Sequence, residues 1–399
     1  MTRRTPLDAL ARMLWGTRFS GTLLPRGAPL PAGHVVVDRF MVLPSLQRPR
    51  FLLPLGATSQ AQARLLQSYN DLRYLGPRSM RTALARALQI EPLASRLGTE
   101  VVVCLPADQA TATLRHLVAQ RLDVGVDELV LSTSIREAAG GVRPTVTLAD
   151  RDGTPVLFVK VGERRVHRTR LGQEAEALTA LKGNPVPGMH TPSLVIDEDW
   201  HGRRVMGVSA LPIDAHRVTV NDPGATWPKL SDLQAAQPMF LERLNDSEWM
   251  AQLRRRTEHA PDVLYGPLTS HLDRIAKHFG RQFFAMGRTH GDWLPWNMAW
   301  GPADELSVWD WEYSHPRGPL LLDPLHWHFG VATMMKGRSF ASGLIAVRDQ
   351  VANLSAAPRG LTAVFLAEHA VRRAEEVRPE EPATTEVAVR ALRGLAEAF

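Results

Sequence analysis

The stretch that most constrains this 399-residue chain runs from Thr289 to Trp327, THGDWLPWNMAWGPADELSVWDWEYSHPRGPLLLDPLHW. Asn297 follows Asp292 by five residues, and Asp310 follows Asn297 by thirteen. Gly291 supplies a bend ahead of Asp292. The segment from Glu305 to Asp310 alternates and predicts a short strand, which would return Asp310 to the side of Asn297. Taken alone, His290-Gly291-Asp292 also fits a surface turn with Asp292 capping a helix. The joint spacing with Asn297 and Asp310 favours a site over a cap. Six of the ten tryptophans fall between Trp293 and Trp327; they predict packing around the loop ahead of a stacking platform for bases.

Upstream, the pattern is that of a small antiparallel sheet. Leu129–Ile135, Val142–Ala149 and Pro155–Val161 read as strands, with a turn over Arg136–Gly141 and a tight-turn signal at Asp152-Gly153. A helix is predicted over Arg168–Leu181. Lys160, one of five lysines in the chain, sits in the third strand. On the helix, Glu174 is favoured over Glu176 as its partner; the competing reading of Lys160 is an edge-strand lysine reaching to water. Pro192–Ile196 and Arg204–Leu211 read as two further strands. Residues 212–261 are mixed. A helix is expected from Pro267 to Phe284, and Leu361–Val377 and Glu386–Phe399 read as helices closing the C-terminal part.

These residues together resemble the aminoglycoside phosphotransferase and choline kinase superfamily, a small-molecule branch of the protein-kinase-like fold. His290-Gly291-Asp292-x-x-x-x-Asn297 followed by Asp310-Trp311-Glu312 parallels the kinase patterns H-R-D-x-x-x-x-N and D-F-G. The resemblance covers about residues 128–330, and the remainder to the C-terminus loosely. It implies an α+β, bilobal protein-kinase-like fold: a small antiparallel-sheet lobe over 126–212 and a helical large lobe with the catalytic loop over 213–399. Residues 1–125 form an appended N-terminal α/β region of unassigned role, with strands near Val35–Val37, Phe51–Leu53 and Glu100–Leu105.

The resemblance also implies ATP and Mg2+ as cofactors and transfer of the γ-phosphate to a hydroxyl of a small molecule. Such transfer needs an aimed nucleophile and neutralised charge more than covalent help. Asp292 is then the base, and Asn297 and Asp310 are the magnesium ligands, consistent with that ion's preference for oxygen. Lys160, held by Glu174, touches the α- and β-phosphates. Ser209, Ala210 and Leu211 offer hinge backbone to the adenine. His290 stabilises the loop, and Asp323 accepts its backbone hydrogen bonds. One departure stands out. The loop between the first two strands lacks G-x-G-x-x-G and offers only Gly140 and Gly141, so Ala138–Gly141 is the expected phosphate cover. No A-P-E element follows Asp310, which argues against a protein kinase.

Composition narrows the alternatives. Residues 1–128 hold 16 arginines, no lysine and 9 acids, a net of +7, leaving −1 for the rest of a chain of net charge +6. The near-neutral remainder gives no hint of the acidic pocket an aminoglycoside favours, so a sugar-like alcohol is the first expectation for the acceptor. Choline would call for an aromatic cage. The basic third could dock an anionic partner, although no nucleic-acid motif accompanies it and a solvated arginine-rich face explains it as well. The single cysteine, Cys104, excludes an internal disulfide. No apolar run reaches membrane-spanning length, and a cytoplasmic location is expected. The alternative function is a catalytically silent kinase-like binding or scaffold protein, whose sign would be loss of Lys160, Asp292, Asn297 or Asp310.

Overall fold

The structure is a computed structural model that describes residues 6–15, 22–68, 75–90, 97–138, 141–211, 216–220, 223–355, 358–377 and 382–396. It is α+β and divides into two compact units, one of residues 1–171 with 192–210 and one of 172–191 with 211–399. The expected phosphate cover falls partly outside the described residues, at Ala139 and Gly140.

The first unit is built on one nine-stranded antiparallel sheet. In chain order its strands are β1 (Thr22–Pro25), β2 (His34–Pro44), β3 (Pro49–Pro54), β4 (Thr99–Pro106), β5 (Val130–Ala138), β6 (Gly141–Ala149) and β7 (Pro155–Gly162). After β8 (Met189–His190), which belongs to the second unit, come β9 (Leu194–Trp200) and β10 (Arg203–Ser209). The spatial order is β1-β4-β2-β3-β5-β6-β7-β10-β9. Strands from residues 22–106 and from 130–209 therefore share one sheet. They meet where β3 pairs with β5 at Phe51–Ser134 and Leu52–Thr133. The buried Ser132 hydroxyl reinforces this join by donating to the Leu52 carbonyl at 2.9 Å.

Period-two alternation gives the sheet two apolar faces. Leu52, Leu131, Val146, Leu148, Val159 and Val205 share a core with Leu10 and Leu14 of the helix Pro6–Trp15 and Val118 of the helix Leu114–Leu122. Met41, Leu43 and Leu53 pack with Leu65 and Leu66 of the helix Ser59–Ser68 and Leu88 of the helix Leu75–Leu88. The β6–β7 turn is tied to the first of these helices. Gly153 has φ +81°, and a Cβ there would lie 2.5 Å from the Ala61 carbonyl oxygen. Asp150 Oδ1 closes the turn by accepting from the Asp152 and Thr154 amides at 3.0 and 2.9 Å.

Several element bounds differ from the sequence expectation, three of them with a plain physical cause. The strand expected near residues 35–37 is an eleven-residue strand with a register shift between Val36 and Asp38; Pro44 ends it, where a missing N–H is tolerated. The expected turn from Arg136 is strand through Ala138, because Arg136 and Glu137 pair with Arg143 and Val142. The helix expected from Pro267 begins at Asp262 and stops at Phe279. Pro267 is interior to this helix and forfeits the bond to the Val263 carbonyl, a loss set against the core packing of Leu264 and Leu268 on either side of it; Phe283 and Phe284 belong to a strand.

The second unit is mainly helical. Leu264, Leu268, Leu272 and Ile275 of the helix Asp262–Phe279 share a core with Val364, Phe365 and Val371 of the helix Pro358–Glu375. Val347 and Val351 of the helix Phe340–Leu354 complete it. Six short strands, β11 (His216–Arg217), β12 (Phe240–Arg243), β13 (Phe283–Thr289), β14 (Met298–Trp300), β15 (Leu306–Val308) and β16 (His315–Pro319), form two small sheets with β8. Their orders are β11-β14-β15-β8 and β12-β13-β16. Among the described residues no helix is long and apolar enough to cross a membrane.

Candidate active site

Strand β13 delivers the chain into the loop His290–Leu294, and the hairpin β14–β15 brings it back. The return is fixed by the Trp309 amide, which donates to the Asn297 carbonyl at 3.0 Å. Asp310 is thus carried to the neighbourhood of Asn297, as the alternating segment before it predicts. Asn297 is buried and uses Nδ2 twice, donating to the Asp292 carbonyl at 2.9 Å and to Asp292 Oδ2 at 2.7 Å. Its remaining polar atom is Oδ1. Asp310 has φ +68°, a left-handed backbone that is uncommon for a residue with a Cβ and that recurs where function requires an awkward direction.

His290 clips the two halves together. Its Nδ1 accepts from the Asp292 amide at 3.1 Å, so Nε2 carries the proton and donates to the Trp309 carbonyl at 3.1 Å. Both ring nitrogens are committed to backbone, which fits a positioning role and leaves no atom for proton abstraction. The ring stands edge-on to Trp293 and Trp311, at centroid distances of 5.8 and 4.6 Å. Trp293 and Trp311 are themselves fully buried, and their Nε1 atoms donate to Thr226 Oγ1 and the Val308 carbonyl. The tryptophans nearest the loop are therefore packing groups.

Beneath the loop lies a buried polar layer. Asp323 accepts from the His290 amide with Oδ2 at 2.8 Å and from the Gly291 amide with Oδ1 at 2.7 Å. Burial raises its pKa to about 7, against the two amides that favour the charged form. The Gly291 carbonyl accepts from Arg372 Nη1 at 2.6 Å. Arg372 also donates to Glu368 Oε1 at 2.5 Å and lies 4.2 Å over the Tyr313 ring. Glu368 Oε2 meets His326 Nε2 at 3.1 Å. Burial opposes the Glu368 charge, but Arg372 and His326 hold its carboxyl well below the usual range. Gly291 has φ +78°, and a Cβ on it would lie 2.2 Å from the Tyr313 carbonyl oxygen. The bend thus requires glycine for both conformation and space.

The second unit therefore brings together Asp292, Asn297, Asp310, His290 and Asp323. Glu174 belongs to the same unit, buried on the helix Arg165–Gly183. Lys160 lies in the first unit, on β7 opposite Met206. Ser209 and Ala210 are there too, and their amides are engaged: Ser209 donates to the Ser193 carbonyl at 2.9 Å and Ala210 to the Val156 carbonyl at 3.1 Å. Those two positions can offer a base their carbonyls but not those N–H groups. Leu211 opens the second stretch of the other unit. Sequence reasoning did not find Arg372, Glu368 or His326. The available signal was a pair of charges four residues apart inside the apolar run from Leu361 to Val377.

No protein-family model matches this chain, and no curated protein matches it. Solved structures similar to it are aminoglycoside phosphotransferases. APH(4)-Ia is 9% identical over 72% of this chain and 99% of that chain, with a TM-score of 0.48. A thermostable mutant of it in ternary complex with ADP and hygromycin B is 9% identical over 71% and 98%, with a TM-score of 0.46. ADP-bound APH(2'')-Ib is 14% identical over 74% and 99%, with a TM-score of 0.43.

Proposed function

We propose that this protein is an ATP- and magnesium-dependent phosphotransferase that moves the γ-phosphate to a hydroxyl of a small molecule. The observation that carries the reading is the Asn297 bridge. One amide group fixes the Asp292 carboxylate, and its backbone carbonyl anchors the turn into Asp310. On this reading the base Asp292 and the oxygen donors of Asn297 and Asp310 belong to one hydrogen-bonded frame, in which Asn297 is buried and the two aspartates are half-buried.

In this mechanism Asp292 accepts the proton of the acceptor hydroxyl, with Oδ2 tied to Asn297. The donor set fits magnesium: with Nδ2 engaged, Asn297 presents a hard oxygen, Asp310 adds a carboxylate, and phosphate oxygens and water would complete the shell. When bound, the ion would neutralise charge on the phosphates. His290 and Asp323 keep the loop in register, Lys160 and Glu174 contribute to phosphate binding, and the backbone of Ser209, Ala210 and Leu211 contributes to base binding. The acceptor expected first is a sugar-like alcohol, ahead of an aminoglycoside, and the expected compartment is the cytoplasm.

The test is ADP formation from magnesium-ATP across a panel of hydroxylated acceptors. Asp292→Asn should lower turnover roughly 10²–10⁴-fold, the range for a lost general base, with nucleotide affinity retained. Wild-type turnover in that variant would remove Asp292 from the mechanism. Nucleotide binding without transfer to any acceptor would favour the silent binding protein.

A further inference from the structure

Within the second unit a pocket of about 200 Å³ lies beside the catalytic strand and takes no part in the chemistry above. Gln173 and Glu176 line it from the helix Arg165–Gly183, Gln252 from the helix Glu248–Thr257, Arg288 from β13, and His315 and Arg317 from β16. Arg288 is the residue without an explanation. Its side chain is 7% exposed, so the guanidinium has largely left water. Among the described residues its one hydrogen bond runs from Nη1 to the Ser314 hydroxyl at 3.3 Å, and its Nε has no partner. Arg372, equally buried, is paired with Glu368; Arg288 forms no ion pair among the described residues, and the one carboxylate whose charge acts on it, Glu176, is exposed and out of ion-pair contact. A guanidinium carries five donors and a fixed charge, and burying it without a counter-ion is costly.

The surroundings add donors. Arg317 is held in place by Glu242 and by the Phe240 ring, 4.0 Å from its Cζ, yet its Nε is also buried without a partner. His315 is a neutral member: burial lowers its pKa to about 4, and its Nδ1 accepts from the Arg317 amide at 3.0 Å. The carboxylates of the lining are exposed, and Glu248 is already paired with Arg255. The pocket thus has a cationic interior, side-chain amides, and acids toward water.

We propose that this pocket binds the phosphate group of a small polar molecule, with Arg288 as the principal counter-ion and Arg317 as the second. Two guanidinium groups suit a multi-oxygen anion better than a single carboxylate. Arg288 is two residues before His290, and the Ser314 hydroxyl that it touches donates to the Thr289 carbonyl at 2.8 Å. Occupancy would therefore brace the strand that feeds the catalytic loop against the helix that carries Glu174.

The test is thermal unfolding of the full chain in rising inorganic phosphate, with potassium acetate at matched ionic strength as the control. Wild type, Arg288→Met and Asp310→Ala are compared, the last because a nucleotide site could also take phosphate. The midpoint should rise with phosphate in wild type and in Asp310→Ala, and acetate should not reproduce the rise. Arg288→Met should lose the response, while its phosphate-free midpoint stays at or above that of wild type because an uncompensated buried charge has gone. The proposal is overturned by no rise in wild type, by a rise that acetate matches, by a rise that Arg288→Met keeps, or by one that Asp310→Ala loses. Should Arg288→Met not fold, Gln173→Glu gives the same decision. An isosteric carboxylate in the lining should raise the phosphate-free midpoint and abolish the response, and an unaltered response would overturn the assignment.

Discussion

At the scale of residues, the site depends on which atom of Asn297 faces which neighbour. Its Nδ2 holds Asp292, so Asn297→Asp would set two carboxylates against each other. Like charges at that distance raise the pKa of one of them. The rising limb of the pH–activity profile should move to higher pH, with the fold intact by circular dichroism; an unmoved limb would separate Asp292 from the base role. Gly291→Ala is expected to be worse than a typical glycine substitution. The left-handed backbone alone costs roughly 1–2 kcal/mol, and the new Cβ meets the Tyr313 carbonyl oxygen at 2.2 Å. Denaturant unfolding should show a loss of at least that size, and transfer activity should fall with it. Asp292, Asn297 and Asp310 were legible in sequence because they are polar groups at fixed spacing within one loop. Arg372 was not, because it reaches Gly291 across 81 residues of chain, and only packing reveals which face of its helix turns inward.

At the scale of elements, the loop rests on the helices Leu322–Gly330 and Pro358–Glu375, which supply Asp323 and His326, and Glu368 and Arg372 respectively. Arg372→Met should leave Glu368 as a buried carboxylate without its cation, a loss of roughly 3–5 kcal/mol by urea titration. The double variant with Glu368→Gln should recover part of that loss, and full additivity of the two changes would show that the pair is not coupled. The layer also sets a pH dependence. The Asp323 pKa is raised from 3.8 to about 7 in the folded protein. The folded state therefore binds more protons between those values, and this group's contribution to stability is lost as pH rises through about 7. Glu368, held low, contributes above the ordinary carboxylate range and loses its contribution as pH falls below it. Asp323→Asn should accordingly remove a downward trend in stability between about pH 4 and 7, and an unchanged slope would contradict the assignment. Periodicity gave the strands β5, β6, β7 and β10 to within a few residues, since each alternates toward a core. It misjudged the helix at Asp262, where the proline looked like a start and tertiary packing of Leu264 and Leu268 carried the helix further back.

At the scale of the whole molecule, the basic N-terminal third contributes strands and helices to the core of the first unit. Some of its arginines are engaged there: Arg115 with Asp38 at 3.4 Å, and Arg121 with Glu198 of β9. The sequence showed strands in this region, but nothing in single-strand patterning reveals that β3 and β5, far apart in the chain, will be neighbours. Removing residues 1–128 would uncover the β5 edge and the apolar faces of Leu131, Val146 and Leu148, a combination that invites strand addition and aggregation. The truncated chain should be insoluble or lack a cooperative thermal transition, and a stable monomer would show that the remaining five strands suffice. Whether Asp292, Asn297 and Asp310 form a magnesium–nucleotide site, as proposed above, is decided by thermal unfolding with magnesium-ATP, wild type beside Asp310→Ala. Ligand at 100 times its dissociation constant should add about 2.7 kcal/mol to the native state, so a magnesium-dependent rise is expected in wild type and its disappearance in the variant. A well-folded wild type that shows no rise at millimolar ATP, or a variant that keeps the rise in full, would contradict it.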